Sequence, residues 1–228
     1  MPGIAIIIPR SGGTGPVIPD WTPGDLGDDL FAWYDPRQGV HGSTVTSLTS
    51  TGSGPTLDSI TGTPTFDRAG MSGTPSIAFN GSSAISGPVS LGQGPLTVMA
   101  NISFTGSGTQ YAFDGHGVST LSIARSVWAD AFQVKRGGSP GLDRSPSDSQ
   151  PHSHIAVFDG ASSRYDVDGS GVEGPTNALS ITRLAIGSAG DASAFLTGHV
   201  GDVLIASRAL TPDEVAEAGI WLKARRNA

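Results

Sequence analysis

The chain has 228 residues, a formal net charge of −7, 33 glycines, 16 prolines and no cysteine. That length allows one large β domain or two small ones, while the absence of a bilayer-length apolar run argues against membrane insertion and the missing cysteines remove disulfide and thiol chemistry. With Lys135 and Lys223 as the sole lysines, nucleic acid is not an expected partner, and glycine and proline scattered without a Gly-X-Y period favour a turn-rich β fold over collagen.

Residues 1–22, MPGIAIIIPRSGGTGPVIPDWT, differ from the rest. Ile4, Ile6, Ile7 and Ile8 form a short apolar run ahead of a Gly/Pro stretch. The segment reads either as a flexible tail or as a docking arm whose isoleucines add a strand to a partner's sheet edge. Its apolar part is too short for a secretory signal and lacks a basic start, so synthesis in a cytoplasm is expected. The run DLGDDL at 25–30 offers oxygens suited to calcium, and reads more simply as a solvated connector.

From Leu30 onward, strand signals recur every eight to fifteen residues. In LTVMANISFT, 96–105, Leu96, Val98, Ala100, Ile102 and Phe104 alternate with polar or smaller residues, which predicts a half-buried antiparallel strand. Further strands are expected at 30–35, 43–50, 75–81, 109–115, 120–126, 131–136, 153–160, 163–169, 182–188 and 198–210. Many end on Asn-Gly, Asp-Gly or Gly-Ser, residues that supply the positive φ of tight hairpins. Roughly eleven to fourteen strands without alternating helices imply a two-sheet antiparallel sandwich or jelly roll. Residues 137–152 carry no periodicity and read as a long loop.

The last element is a helix with its signals in place. Thr211 caps, Pro212 takes the first helical position and Glu214 completes a capping box. Asp213 and Glu214 suit the positive end of the dipole, and Lys223, Arg225 and Arg226 the negative end. Val215, Ala218, Gly219 and Leu222 form a narrow apolar stripe, so the helix packs on the sandwich rather than projecting from it.

Few residues are placed for chemistry. Glycoside hydrolysis uses two carboxylates flanking the scissile bond. The three glutamates are Glu173 in a hairpin and Glu214 and Glu217 in the helix, so no catalytic residue is assigned and an enzyme is not expected. His152 and His154 share one face of a strand with zinc-compatible spacing, but without a third ligand nearby they read as strand-edge polar residues. YDVDGSG begins like a calcium loop yet lacks the downstream acid, so Asp168-Gly169 is expected to serve as a hairpin turn. No metal or other cofactor is assigned, with calcium as the one alternative. Trp33 and Trp221 are expected in the core and Trp21 at the junction of arm and domain. Trp128, with Arg125 and Tyr111, is the candidate glycan platform, buried packing being the other reading for it.

The closing stretch GHVGDVLIASRALTPDEVAEAGIWLKAR resembles the terminal strand and helix of concanavalin A-like, laminin-G-like jelly rolls, through Gly198, Val200, Gly201, Asp202, Arg208, Leu210, Thr211 and Glu214. FAWYDP, PSIAFNGSSAI and HSHIAVFDGASSRYDVDG resemble earlier pieces of that family in the same order. The resemblance covers about residues 30–226, and extends to the versions carried by tailed bacteriophages. It implies a jelly-roll domain over 23–228 behind an arm at 1–22. It further implies a non-enzymatic virion structural protein, on head or tail, partnered by other virion proteins and by copies of itself. The alternative is a glycan-binding module that adheres to host-surface saccharides; a glycosidase-like enzyme ranks behind both.

Overall fold

Short apolar runs interrupted by glycine and Asx turns can bury their surface here only by pairing laterally, and the chain does so throughout. The structure, a computed structural model, describes residues 21–115, 121–126, 130–137, 141–145 and 147–227. Its strands are β1 Leu30–Tyr34, β2 Ser59–Thr61, β3 Thr65–Met71, β4 Thr74–Asn80, β5 Ala84–Leu91, β6 Leu96–Phe104, β7 Gln110–Gly115 and β8 Leu121–Ser126. They continue as β9 Ala131–Arg136, β10 Leu142–Arg144, β11 His152–Phe158, β12 Ser163–Val167, β13 Ser170–Gly174, β14 Ile181–Ile186 and β15 Thr197–Ala206, before the helix α1, Pro212–Arg226.

All pairings are antiparallel and fall into two sheets. One runs β13-β12-β11-β6-β15-β4-β3, with β1 also on β15; the other runs β10-β9-β8-β7-β14-β5-β2. The predicted sandwich is the observed one. Between the sheets lies a core that includes Val98, Ile102 and Phe104 of β6 and Phe113, Ile123, Val134 and Leu184 of the facing sheet. A second apolar cluster lies on the outer face of the first sheet, where Met99, Ile155, Val157 and Leu204 meet Val215, Ala218, Trp221 and Leu222 of α1.

That second cluster corrects the reading of 96–105. Every residue of β6 is buried, on both faces, because α1 covers the side expected to meet water. The polar residues on that side are satisfied by what lies above them. The Asn101 amide donates to the Leu222 carbonyl at 3.0 Å, and Thr97 Oγ1 to that of Arg208 at 2.9 Å. The capping box forms as predicted: Glu214 N donates to Thr211 Oγ1 at 3.3 Å, and Thr211 N to Glu214 Oε2 at 2.8 Å. Arg208 ties the same turn down by donating to both Glu214 and Asp29.

The motif residues of β15 acquire physical reasons. A Cβ on Gly198, whose φ is +150°, would lie 2.0 Å from the Ser103 carbonyl oxygen, so only glycine fits. The β15–β6 register shifts between Val200 and Val203, and Gly201-Asp202 occupies the shift. The opposite edge of β15 pairs with β4 over Thr197–Val200 and with β1 over Val203–Ala206. At the junction Asp202, 2 % exposed, accepts from Trp33 Nε1 at 3.0 Å, Arg37 at 3.2 Å and Arg225 at 2.6 Å. The Arg225 guanidinium stands over the rings of Trp33 and Trp221, 5.3 and 5.0 Å from their centroids.

Further segments differ from expectation. Residues 43–50 form no strand; Thr44 and Leu48 make isolated bridges to Thr65 and Leu57. The expected loop 137–152 contains β10, paired with β9. Strand β2 is only three residues long, and β3, β5 and β13 lie outside the expected set because their alternation is broken by glycine, proline or a register shift, as between Asp67 and Met71 of β3. Trp21, the first of the described residues, packs its ring against that of Trp221, 5.8 Å between centroids. Ile4, Ile6, Ile7 and Ile8 lie outside the described residues. Among the described residues no helix is long and apolar enough to cross a membrane.

Replacing Arg225 by alanine leaves Asp202 with Arg37 and Trp33 alone and removes the cation packed on both tryptophan rings. The expected loss is about 2–3 kcal/mol of stability, read as a lower urea midpoint with the fold retained.

Candidate functional site

Strand ends gather at one end of the sandwich, where β6 finishes, β7 begins, β8 finishes, β9 and β11 begin and β12 finishes. Phe132, near the start of β9, links the layers: its ring lies 5.7 Å from Phe104, 5.2 Å from His152 and 5.1 Å from His154. Over this aromatic floor runs a chain of polar groups drawn from separate loops. Arg226 donates to Asp168 Oδ1 at 2.7 Å, and Asp168 Oδ2 meets His152 Nδ1 at 2.7 Å. His152 Nε2 reaches Asp148 Oδ1, also at 2.7 Å. Beside it, Arg125 Nε donates to Ser147 Oγ at 3.2 Å, and Ser147 Oγ to Asp130 Oδ1 at 3.0 Å.

Local structure fixes each member. His152 opens β11 opposite Ile102. Asp168 takes φ 53° and Gly169 φ 84°, the left-handed pair of a two-residue hairpin turn, as expected from the sequence. Ser153 N donates to Asp168 Oδ1 at 3.0 Å, which holds the turn against the neighbouring strand. Arg125 is fixed further by donating to the Gly106 carbonyl at 3.2 Å.

The charges set one another. The Asp168 hydrogen bond raises the pKa of His152; burial opposes it, and Asp148 adds to the rise. Burial alone would raise Asp168, but His152, the Ser153 amide and Arg226 together hold it well below the usual carboxylate range. Burial likewise raises Asp148, and the His152 and Gln150 contacts outweigh it, so its pKa is lowered. With a carboxylate at each ring nitrogen, His152 fits both as the imidazolium. The two carboxylates approach opposite nitrogens, a geometry for bridging rather than for joint ligation of one ion. Among the described residues no three of His, Asp and Glu converge as a metal-holding group.

His154 behaves differently from its neighbour. The two rings share a strand face, 6.2 Å apart, but His154 is fully buried rather than at a strand edge. It stacks on Tyr165 and hydrogen-bonds its hydroxyl at 2.7 Å. Burial drives its pKa down to about 3, so it is neutral and packs as a core aromatic.

Of the predicted glycan platform, Arg125 joins the polar chain. Tyr111 sits one pair along on β7, opposite Ala124, half-buried and outside the hydrogen-bonded chain. Trp128 lies outside the described residues. Ser147, Asp148 and the bridging role of His152 were missed, although the four-residue spacing in DSQPH was a usable signal. The carboxylates of the two calcium-like runs have other partners: Asp166 pairs with Arg164, Asp25 accepts from Thr22 N and Asp29 pairs with Arg208.

Other features are less suited to a ligand. Two adjoining cavities of about 210 and 540 Å³ lie between α1 and β12, sharing Arg164, Pro212 and Val215, with Arg164 already paired to Asp166 and Glu173. Asp114 is fully buried, and desolvation lifts its pKa to about 7 against the Gly190 amide, which donates to Oδ2 at 2.9 Å. Sealed from solvent, that carboxyl cannot reach a glycosidic oxygen. Glu214 is held by Arg208, Glu173 lies by Arg164 and Glu217 is exposed on α1, so no two glutamates face each other.

No protein-family model and no curated protein matches the chain. Solved structures do. A Trypanosoma rangeli sialidase in complex with sialic acid aligns at TM-score 0.59 and 12 % identity, over 84 % of this chain and 33 % of that one. Domain 4 of AbnA, an extracellular arabinanase from Geobacillus stearothermophilus, in complex with arabinotriose, aligns at 0.62 and 18 %, over 84 % and 98 %. Botulinum neurotoxin type C, whose cell entry depends on interaction with two ganglioside molecules, aligns at 0.62 and 10 %, over 88 % and 53 %. The shared feature is the β-sandwich. The chain spans about a third of the sialidase, about half of the toxin chain and nearly all of the arabinanase domain.

Two pH responses follow. A raised His152 pKa adds stability that is complete below the unfolded value of about 6.5 and fades as pH climbs through the folded value. His152→Gln should therefore cost about 1–2 kcal/mol near pH 6 and less at pH 9, by urea titration. Asp114 works in the opposite sense to a salt-bridged acid. Its folded pKa near 7 exceeds the unfolded 3.8, so it lowers stability as pH rises between those values. Asp114→Asn should raise the urea midpoint at pH 8 and leave it nearly unchanged at pH 4.

Proposed function

We propose that this chain is a non-enzymatic, glycan-binding β-sandwich module whose ligand lies on the polar rim around Arg125, Asp130, Asp148 and His152. The observation that carries this reading is the rim itself. Hydrogen-bonding groups from separate segments are held in two adjoining chains at a loop end, with Asp148 53 % exposed. Trp128, which stands between Arg125 and Asp130 in sequence, is in this reading the aromatic face for a sugar ring. Preorganised acceptors beside an aromatic surface suit saccharide hydroxyls, because little ordering remains to be done on binding. The sandwich likeness to structures solved with sialic acid and arabinotriose supports the reading, as does the likeness to the ganglioside-interacting toxin.

The absence of an apposed glutamate pair and the sealed position of Asp114 support a binding rather than a hydrolytic role. Display on a tailed-phage particle through Ile4, Ile6, Ile7 and Ile8, alongside other virion proteins and as a homo-oligomer, is the setting implied by the sequence resemblance alone. It is compatible with a binding module, and particle attachment after removal of residues 2–20 tests it.

A glycan array probed with the full chain should give a defined set of hits. Arg125→Ala and Trp128→Ala should each weaken those hits by about tenfold or more while circular dichroism stays unchanged. An empty array with a folded protein would sink the proposal.

A further inference from the structure

The two cavities between α1 and β12 share Arg164, Pro212 and Val215, so they form one trough along the helix. Ile155 and Val157 of β11 lie at its base, and Val215, Ala216 and Ile220 of α1 make an apolar wall. Ile220 is 48 % exposed there. Gly219 lines the same wall in mid-helix, where glycine weakens a helix relative to alanine. A Cβ at that position would meet Ile155 Cδ1 at 3.7 Å, an ordinary contact, so packing within the chain does not call for glycine. What the missing side chain provides is width in the trough.

Charge is uneven along it. Three carboxylates, Asp159, Asp166 and Glu173, and two cations, Arg164 and Lys223, line the trough. Arg164 lies with Asp166 and Glu173, and Lys223 donates to the Asp168 carbonyl at 3.0 Å. Asp159, exposed in the cavity at the Thr211 end, has no cation paired with it among the described residues, and the Glu173 side chain in the same lining is 75 % exposed. We propose that the trough docks an extended segment of a partner protein, with apolar side chains against α1 and a lysine or arginine at Asp159 and Glu173. Pro212 to Lys223 spans about 16 Å by helical rise, the length of about five extended residues. An anionic lipid headgroup, or a second copy of this chain with its net charge of −7, meets repulsion at that end where a basic peptide meets attraction. This docking goes beyond glycan binding and does not depend on it.

The test pans a random peptide library, presented by messenger-RNA display, against the full chain. Enriched peptides should share spaced apolar residues and at least one lysine or arginine. A fluorescein-labelled peptide from that set should bind Gly219→Leu, which fills the trough, at least about tenfold more weakly, with circular dichroism unchanged. Ile220→Lys, at an exposed position, is the second variant should the first fail to fold. Asp159→Asn combined with Glu173→Gln should weaken the labelled peptide and flatten its salt dependence. No enrichment, enriched peptides indifferent to both wall variants, or a set without basic residues overturns the proposal. So does self-association of the full chain, or its binding to phosphatidylcholine vesicles, that Gly219→Leu abolishes, since the trough then holds a second copy or a lipid.

Discussion

The Arg225 guanidinium, packed against both Trp33 and Trp221 and hydrogen-bonded to Asp202 and Asp35, is the contact on which the rest of the structure depends. A buried carboxylate such as Asp202 is tolerable only with charged partners, and a cation packed on an indole ring gains on the order of 2 kcal/mol when desolvated. Burial alone would lower the Arg225 pKa; the two carboxylates outweigh it and raise it. Together they bind the last turn of α1 to β1 and to the register shift in β15. With that turn fixed, the helix covers β6, β11 and β15, and polar residues such as Asn101 become satisfiable inside the fold.

That dependence explains what was legible beforehand. The capping box, the Asp168-Gly169 turn and the inward face of β6 could be read because each rests on local chemistry or on a period of two. The second buried face of β6 could not, since nothing within 96–105 records that a helix more than a hundred residues later will lie across it. Strands β3 and β5 escaped for a related reason: a shifted register or an internal Gly-Pro breaks the alternation that makes a strand visible. Gly201-Asp202 was visible as a motif, but its purpose appears only when Trp33, Arg37 and Arg225 converge on it.

The rim was half legible. Arg125 stands out in the sequence for its nearness to Trp128, and in the fold it donates to Ser147, which donates in turn to Asp130. The histidines were noticed for a metal they are not arranged to share. Two residues apart on one strand, they have opposite electrostatic fates, because one meets two carboxylates at the surface and the other lies under Phe132 and against Tyr165. Sequence spacing puts both on one face; only the depth of the neighbouring loop decides which becomes an ion.

Asp168 gives the fold a common joint. Its carboxylate holds His152 on one oxygen and Arg226 and the Ser153 amide on the other, and its carbonyl accepts from Lys223 at 3.0 Å. The last turn of the helix and the start of β11 therefore share one residue at a hairpin tip. Fraying of that helix turn removes two cationic anchors from the tip at once, which couples the opening of the two regions. Anything that steadies the rim slows the fraying of a helix end that it never touches.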